Sequence, residues 1–170
     1  PRFATCNMLD SISPIDGRYR KITEPLAKFF SESAFIKYRV FMEVRYIEAF
    51  LKIIGKKSKK IVLEVTEKDL QEIQKIEQTT NHDFKAIEYW MRSKLPKELE
   101  NWIHFGLTSQ DATNIAQALM ITGALKEVII PKLEEIHKCT IALAQQYKGT
   151  PMLARTHGQY AEPTTFGHLL

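Results

Sequence analysis

The chain has 170 residues, 44% of them hydrophobic and 26% charged, with a net charge of +4, which excludes a disordered tail and allows one domain or slightly more around a real core. A pI near 9.0 admits an anionic ligand without naming it, while Cys6 and Cys139 stand too far apart to suggest a disulfide framework or a zinc site. No apolar run reaches the roughly 18 residues that span a bilayer, so the expectation is a soluble, cytoplasmic protein with no cofactor, no metal and no membrane partner.

The opening Pro1 to Cys6 lacks the apolar core of a signal peptide. Pro1 is not an initiator methionine, and Leu170 closes the chain inside an apolar stretch, so the chain reads as a piece of a longer protein. Helical periodicity begins at Ser31. Ala34, Phe35, Tyr38, Phe41, Val44, Ile47, Phe50, Leu51 and Ile54 recur at three- and four-residue steps, which predicts one long amphipathic helix whose stripe is core or subunit packing. Ser31 or Ser33 can cap its start and Gly55 can end it. The basic run Lys56 to Lys60 follows as a loop, and Ile61 to Val65 gives only thin support for a strand.

Thr66 with Asp69 resembles a capping box ahead of Leu70, Ile73 and Ile76. Thr80 with Asp83 offers another before Phe84, Ile87, Trp90 and Met91, and Pro96 ends that helix. Thr108 with Asp111 opens a long helical stretch through Ile115, Leu119, Leu125 and Val128 to Tyr147 and Gly149. Gly123 and Pro131 interrupt it, which predicts one kinked helix rather than two stacked ones. Thr150 to Glu162 is expected to be a polar loop, and loops of this kind commonly carry sites. The fold class is therefore all-α.

Three polar clusters sit at helix starts or in loops: Thr79 to Asp83, Leu107 to Asp111 and Arg155 to Gln159. The start at Thr108 and Ser109 offers unpaired amides and a positive dipole end that suit a carboxylate or phosphate, although plain capping explains the same residues. Histidine as a residue type suits proton transfer, and His157 lies in a loop beside Arg155 and Gly158 rather than on an apolar face; a surface hydrogen-bonding histidine is the plainer account. His137 and His168 have no such setting and receive no role.

Ser13-Pro14-Ile15-Asp16-Gly17-Arg18-Tyr19, Thr80-Asn81-His82-Asp83, His104-Phe105-Gly106-Leu107-Thr108-Ser109-Gln110-Asp111 and Arg155-Thr156-His157-Gly158-Gln159, in this order and spacing, resemble the adenylosuccinate lyase family over nearly the whole chain. The resemblance implies a fumarase/aspartase-type subunit, with residues 1–107 as an N-terminal helical domain and 108–170 as the beginning of a central long-helix bundle that builds a homotetramer. It implies elimination of fumarate from adenylosuccinate, giving AMP, and from succinyl-aminoimidazole-carboxamide ribotide. Thr108 and Ser109 match positions that hold the succinyl carboxylates, His157 matches the general acid, Arg18 and Tyr19 match a nucleotide-contacting pair, and Asn81, His82 and Asp83 match a further substrate-binding segment. His104 lies beside the site in that family and is given no role. The family's serine base, on a Ser-Ser-Met-Pro-His-Lys-Val-Asn-Pro type of loop, has no counterpart in the 170 residues, so this chain alone is expected to be inactive. The alternatives are a sister lyase of the argininosuccinate lyase or fumarase type and, far behind, a basic helical module for nucleic acid. No nucleic-acid partner is expected, because no aromatics interleave the lysine run.

Overall fold

The computed structural model describes residues 11–56 and 60–170. Cys6, the opening hexapeptide and Lys57, Ser58 and Lys59 of the basic run lie outside the described residues. The chain divides into two compact units at Ala124/Leu125.

The first unit is helical throughout its regular elements: α1 (Arg20–Phe30), α2 (Glu32–Ile53), α3 (Glu67–Thr80), α4 (Asp83–Lys94), the single turn α5 (Lys97–Glu100) and α6 (Ser109–Ala124). Several boundaries follow the sequence signals. Ser31 accepts the Ala34 amide at the start of α2, and Gly55, at φ +73, ends the segment in the left-handed conformation. Thr66 and Asp69 make both bonds of a capping box. Two readings are corrected. The helix α1 was not expected; it carries Pro25 inside it. Thr80 does not cap α4: it is the last residue of α3, Asn81 follows at φ 49, and the His82 ring accepts the Lys85 amide. Asn81 takes the left-handed conformation at low cost, which turns the chain sharply enough for His82 to become the cap.

The helix α2 packs against α1 and α6 and also against α4, and α3 pairs with α4. The core gathers Val40, Val44, Ile47 and Leu51 of α2, Leu70 and Ile73 of α3, and Ile87, Trp90 and Met91 of α4. Because neighbours cover α2 on more than one side, its buried set is not the simple stripe read from periodicity. Phe41 is 48% exposed, whereas Arg39 and Glu43 are buried.

The second unit runs from a π-helical turn, Leu125–Ile129, into α7 (Ile130–Gln146), then β1 (Pro151–Thr156), β2 (Gln159–Thr165) and the one-turn α8 (Phe166–Leu169). Helical backbone continues into α7 with no intervening loop, and the π turn stands where the kink was expected. Its cause is Pro131, which lacks an amide hydrogen and crowds the carbonyl four residues back, so the preceding turn widens.

The segment after Gly149 is not the loop expected. It is an antiparallel hairpin pairing Pro151 with Thr165, Leu153 with Pro163, Arg155 with Tyr160 and Thr156 with Gln159. Between the second and third of these pairs β2 uses one more residue than β1, a bulge that increases local twist. Among the described residues no helix is long and apolar enough to cross a membrane.

Candidate functional site

Thr108 stands immediately before α6. Its backbone N–H donates to Asp111 Oδ2 at 2.8 Å, and its hydroxyl accepts the Gln110 amide at 3.2 Å. The capping function is therefore real, but it occupies only a lone pair of the hydroxyl. The O–H hydrogen has no acceptor among the described residues and remains available to a ligand. Ser109, partly exposed, follows as the first residue of the helix.

Asn81, His82 and Asp83 form the exposed corner between α3 and α4. Asp83 bonds its neighbour's amide, Phe84 N, at 2.7 Å and accepts Arg39 Nη1 at 2.7 Å. Partial burial raises the Asp83 carboxyl, but the bonds from Arg39 and Phe84 outweigh it and hold the group below its ordinary value. Arg39 also donates through Nη2 to Thr113 Oγ1, 3.2 Å away in the second turn of α6. The starts of α4 and α6, and with them two of the three polar clusters, are thus tied to one guanidinium.

A second buried charge lies one turn along α2. Glu43 is 0% exposed; its Oε2 accepts the His104 backbone N–H at 3.0 Å, and its Oε1 lies 2.6 Å from His104 Nδ1. Desolvation pushes the Glu43 carboxyl up, opposed by its bonds to His104 and reinforced by the nearby Glu88. The His104 ring packs on Phe84, with centroids 4.5 Å apart. His104 itself sits at φ 57, so the loop into α6 turns through a conformation few non-glycine residues adopt.

Arg18 and Tyr19 precede α1; both are exposed and neither side chain bonds a described residue. Among the described residues no hydrogen bond, ion pair or ring contact joins their side chains to the α4–α6 cluster. The 470 Å³ cleft lined by Leu51, Lys60, Leu63 and Trp102 contains none of the expected site residues.

His157 belongs to the second unit. It and Gly158 form the two-residue turn of the hairpin, at φ 51 and 77, the pair of positive values that marks the turn matching the strand twist. Glycine meets this demand freely, and histidine tolerates it better than most side chains. The ring is exposed and bonds no described residue, while its neighbour Arg155 is held by Tyr160, 4.8 Å over the ring and 3.3 Å from the hydroxyl. The tight turn presents an unencumbered imidazole on a pinned hairpin.

Sequence reasoning missed Arg39 and Glu43. The available signal was two charges four residues apart within an apolar run, which on one helix share a face. Among the described residues no group of three or more histidine, cysteine, aspartate or glutamate side chains is placed to hold a metal ion.

A family model described as lyase matches residues 17–170. The adenylosuccinate lyase of Dictyostelium discoideum is 45% identical to this chain over 181 residues, covering 95% of the chain and 39% of that protein. The enzymes of the same name from Haemophilus influenzae and Escherichia coli are 39% and 37% identical, each covering 94% of the chain and 39% of the relative. The chain thus spans about two fifths of the length of these relatives. Among solved structures, a fumarate lyase from Mesorhizobium sp. BNC1 superposes with a TM-score of 0.70 at 24% identity, over 86% of this chain and 35% of that one. A β-carboxy-cis,cis-muconate cycloisomerase from Acinetobacter calcoaceticus sp. ADP1 gives 0.65 at 21%, over 86% and 36%. These two likenesses concern the fold.

Proposed function

The chain belongs to the lyase family, and from that premise we propose that it is the first part of an enzyme that eliminates fumarate from adenylosuccinate, giving AMP, and from succinyl-aminoimidazole-carboxamide ribotide. The observation that carries this reading is the likeness, over 94–95% of the chain, to proteins named adenylosuccinate lyase.

In the reaction a base removes the proton beside a carboxylate, the carbon–nitrogen bond breaks, and an acid protonates the departing nitrogen. His157 is the acid: an exposed imidazole on the tight turn of the hairpin is placed to deliver a proton to the departing nitrogen. Thr108 and Ser109 hold the succinyl carboxylates, with the unused Thr108 O–H and the first amides of α6 as donors where negative charge builds. Arg18 and Tyr19 contact the nucleotide, the guanidinium suiting phosphate by its fork of donors. Asn81, His82 and Asp83 form the facing substrate wall. The serine base comes from outside these 170 residues.

Residues 1–107 form the first domain, and Thr108 opens the central bundle. The assembly is a homotetramer in the cytoplasm. In support of association through α7, this helix leaves Leu133 58% exposed together with Ile130, Ile136 and Leu143, a row at helical spacing that another helix would cover. Substituting His157 in the full-length enzyme tests the assignment: turnover should collapse while substrate binding persists, and near-normal turnover would refute it.

A further inference from the structure

We propose that Arg39 and Glu43 are positioning residues, which act from the buried side of α2 to set the spacing between the Asn81–Asp83 corner and the His104–Ser109 loop. The proposal rests on the reading that these two segments face the substrate. Neither side chain reaches a ligand itself: Arg39 is 5% and Glu43 0% exposed. Each spends its polar atoms on a different segment.

Arg39 spans from Asp83 Oδ2 to Thr113 Oγ1 with separate nitrogens, stacked 3.7 Å over the Phe35 ring. Its Nε is buried with no hydrogen-bond partner among the described residues. A charge this buried, with one donor unsatisfied, is a poor choice for stability alone. Glu43 grips His104 by both backbone and ring, which fixes a left-handed residue four positions before Thr108. Between the two charges Phe84, flanked by Met42 and Ala112, fills the space, so the two segments cannot slide past each other without breaking this packing. Lysine could not replace Arg39, because one ammonium does not offer two donors in a planar fork.

The test uses the full-length enzyme and adenylosuccinate, with Glu43→Gln, Arg39→Lys, His104→Gln and the double variant Glu43→Gln/His104→Gln. Glutamine keeps the volume and an acceptor for the His104 amide but cannot grip the ring as a carboxylate does. Glu43→Gln should lower kcat/KM by about tenfold or more, since a shift of a site group by about 1 Å can cost roughly a hundredfold, with no fall in thermal stability. The double variant should be no worse than His104→Gln alone, since Glu43 acts through that residue. Arg39→Lys should raise KM and accelerate amide hydrogen exchange in residues 81–84 and 109–113. Wild-type kcat/KM in Glu43→Gln, or effects of Glu43 and His104 that simply add, would overturn the proposal. If the wild-type enzyme releases no fumarate, the reading of the site fails separately, and the exchange pattern in Arg39→Lys still decides whether that residue ties the segments together.

Discussion

Replacing Thr108 by alanine separates two functions carried by one hydroxyl. As a cap, the oxygen accepts the Gln110 amide at 3.2 Å, and losing a hydroxyl cap costs about 1 kcal/mol of stability. In the proposed ligand contact the O–H would donate to a carboxylate, and a hydrogen bond to a charged group contributes about 1.5–3 kcal/mol. At 1.4 kcal/mol per decade that is roughly a 10- to 150-fold weakening. AMP has no succinyl carboxylate, so its affinity should move only as far as the frayed helix start moves it. Calorimetric titration of full-length Thr108→Ala with a non-reacting succinyl-nucleotide analogue and with AMP reads the difference, and thermal unfolding reads the cap. Thr108→Ser, which keeps the hydroxyl, should restore both. Equal losses for the two ligands would refute the carboxylate assignment and leave Thr108 as a cap only.

His157→Ala in the full-length enzyme should lower kcat by about two to four orders of magnitude; His157→Asn, which accepts the left-handed turn but donates no proton in the reaction, should do the same, and steady-state turnover of the two variants checks that chemistry rather than turn geometry is lost. Gly123→Ala would bring a methyl to 2.5 Å from the Phe29 ring, so thermal unfolding should register a loss of about 1–3 kcal/mol from overpacking, relieved in part by Phe29→Leu. Glu43→Gln should be as stable as wild type or more stable at neutral pH. The folded carboxyl is raised above its unfolded value, chiefly by desolvation, so its stabilising contribution is complete below about pH 4.3, the unfolded value, and is lost as pH rises through the folded value. Unfolding measured across pH should therefore show the advantage of glutamine grow with pH; an advantage that grows as pH falls would contradict the cause assigned. The 170-residue chain by itself should release no fumarate from adenylosuccinate, measured with the chain in large excess, because it carries no counterpart of the serine base.

The helices were legible where local chemistry decides them. The Thr66–Asp69 box, the Ser31 cap and the Gly55 stop each involve residues within four positions of one another, so sequence spacing reports them. What tertiary contacts decide was not legible. The helix α1 contains Pro25, and its contacts with α2 and α6, through the buried Phe29 among others, offset a local penalty that periodicity cannot weigh. The hairpin at residues 151–165 lacks clean alternation because both strands are largely exposed, leaving no buried face to impose period two. His-Gly is also a rarer turn signal than Asn-Gly. For the candidate site, sequence spacing names the motif residues, but it does not show the buried charges that bond Asp83, Thr113 and His104. Arg39 and Asp83 are 44 positions apart and Glu43 and His104 are 61 apart, and only the packing of α2 against its neighbours makes them partners.

Specificity of the full-length protein for a nucleotide succinyl substrate, as proposed, is decided by fumarate release with adenylosuccinate, argininosuccinate and malate offered in parallel. Stoichiometric fumarate and AMP from adenylosuccinate, with no fumarate from the other two and loss of the activity in His157→Ala, is the predicted result. Fumarate formed from argininosuccinate or malate instead would contradict the account and assign the chain to a sister lyase.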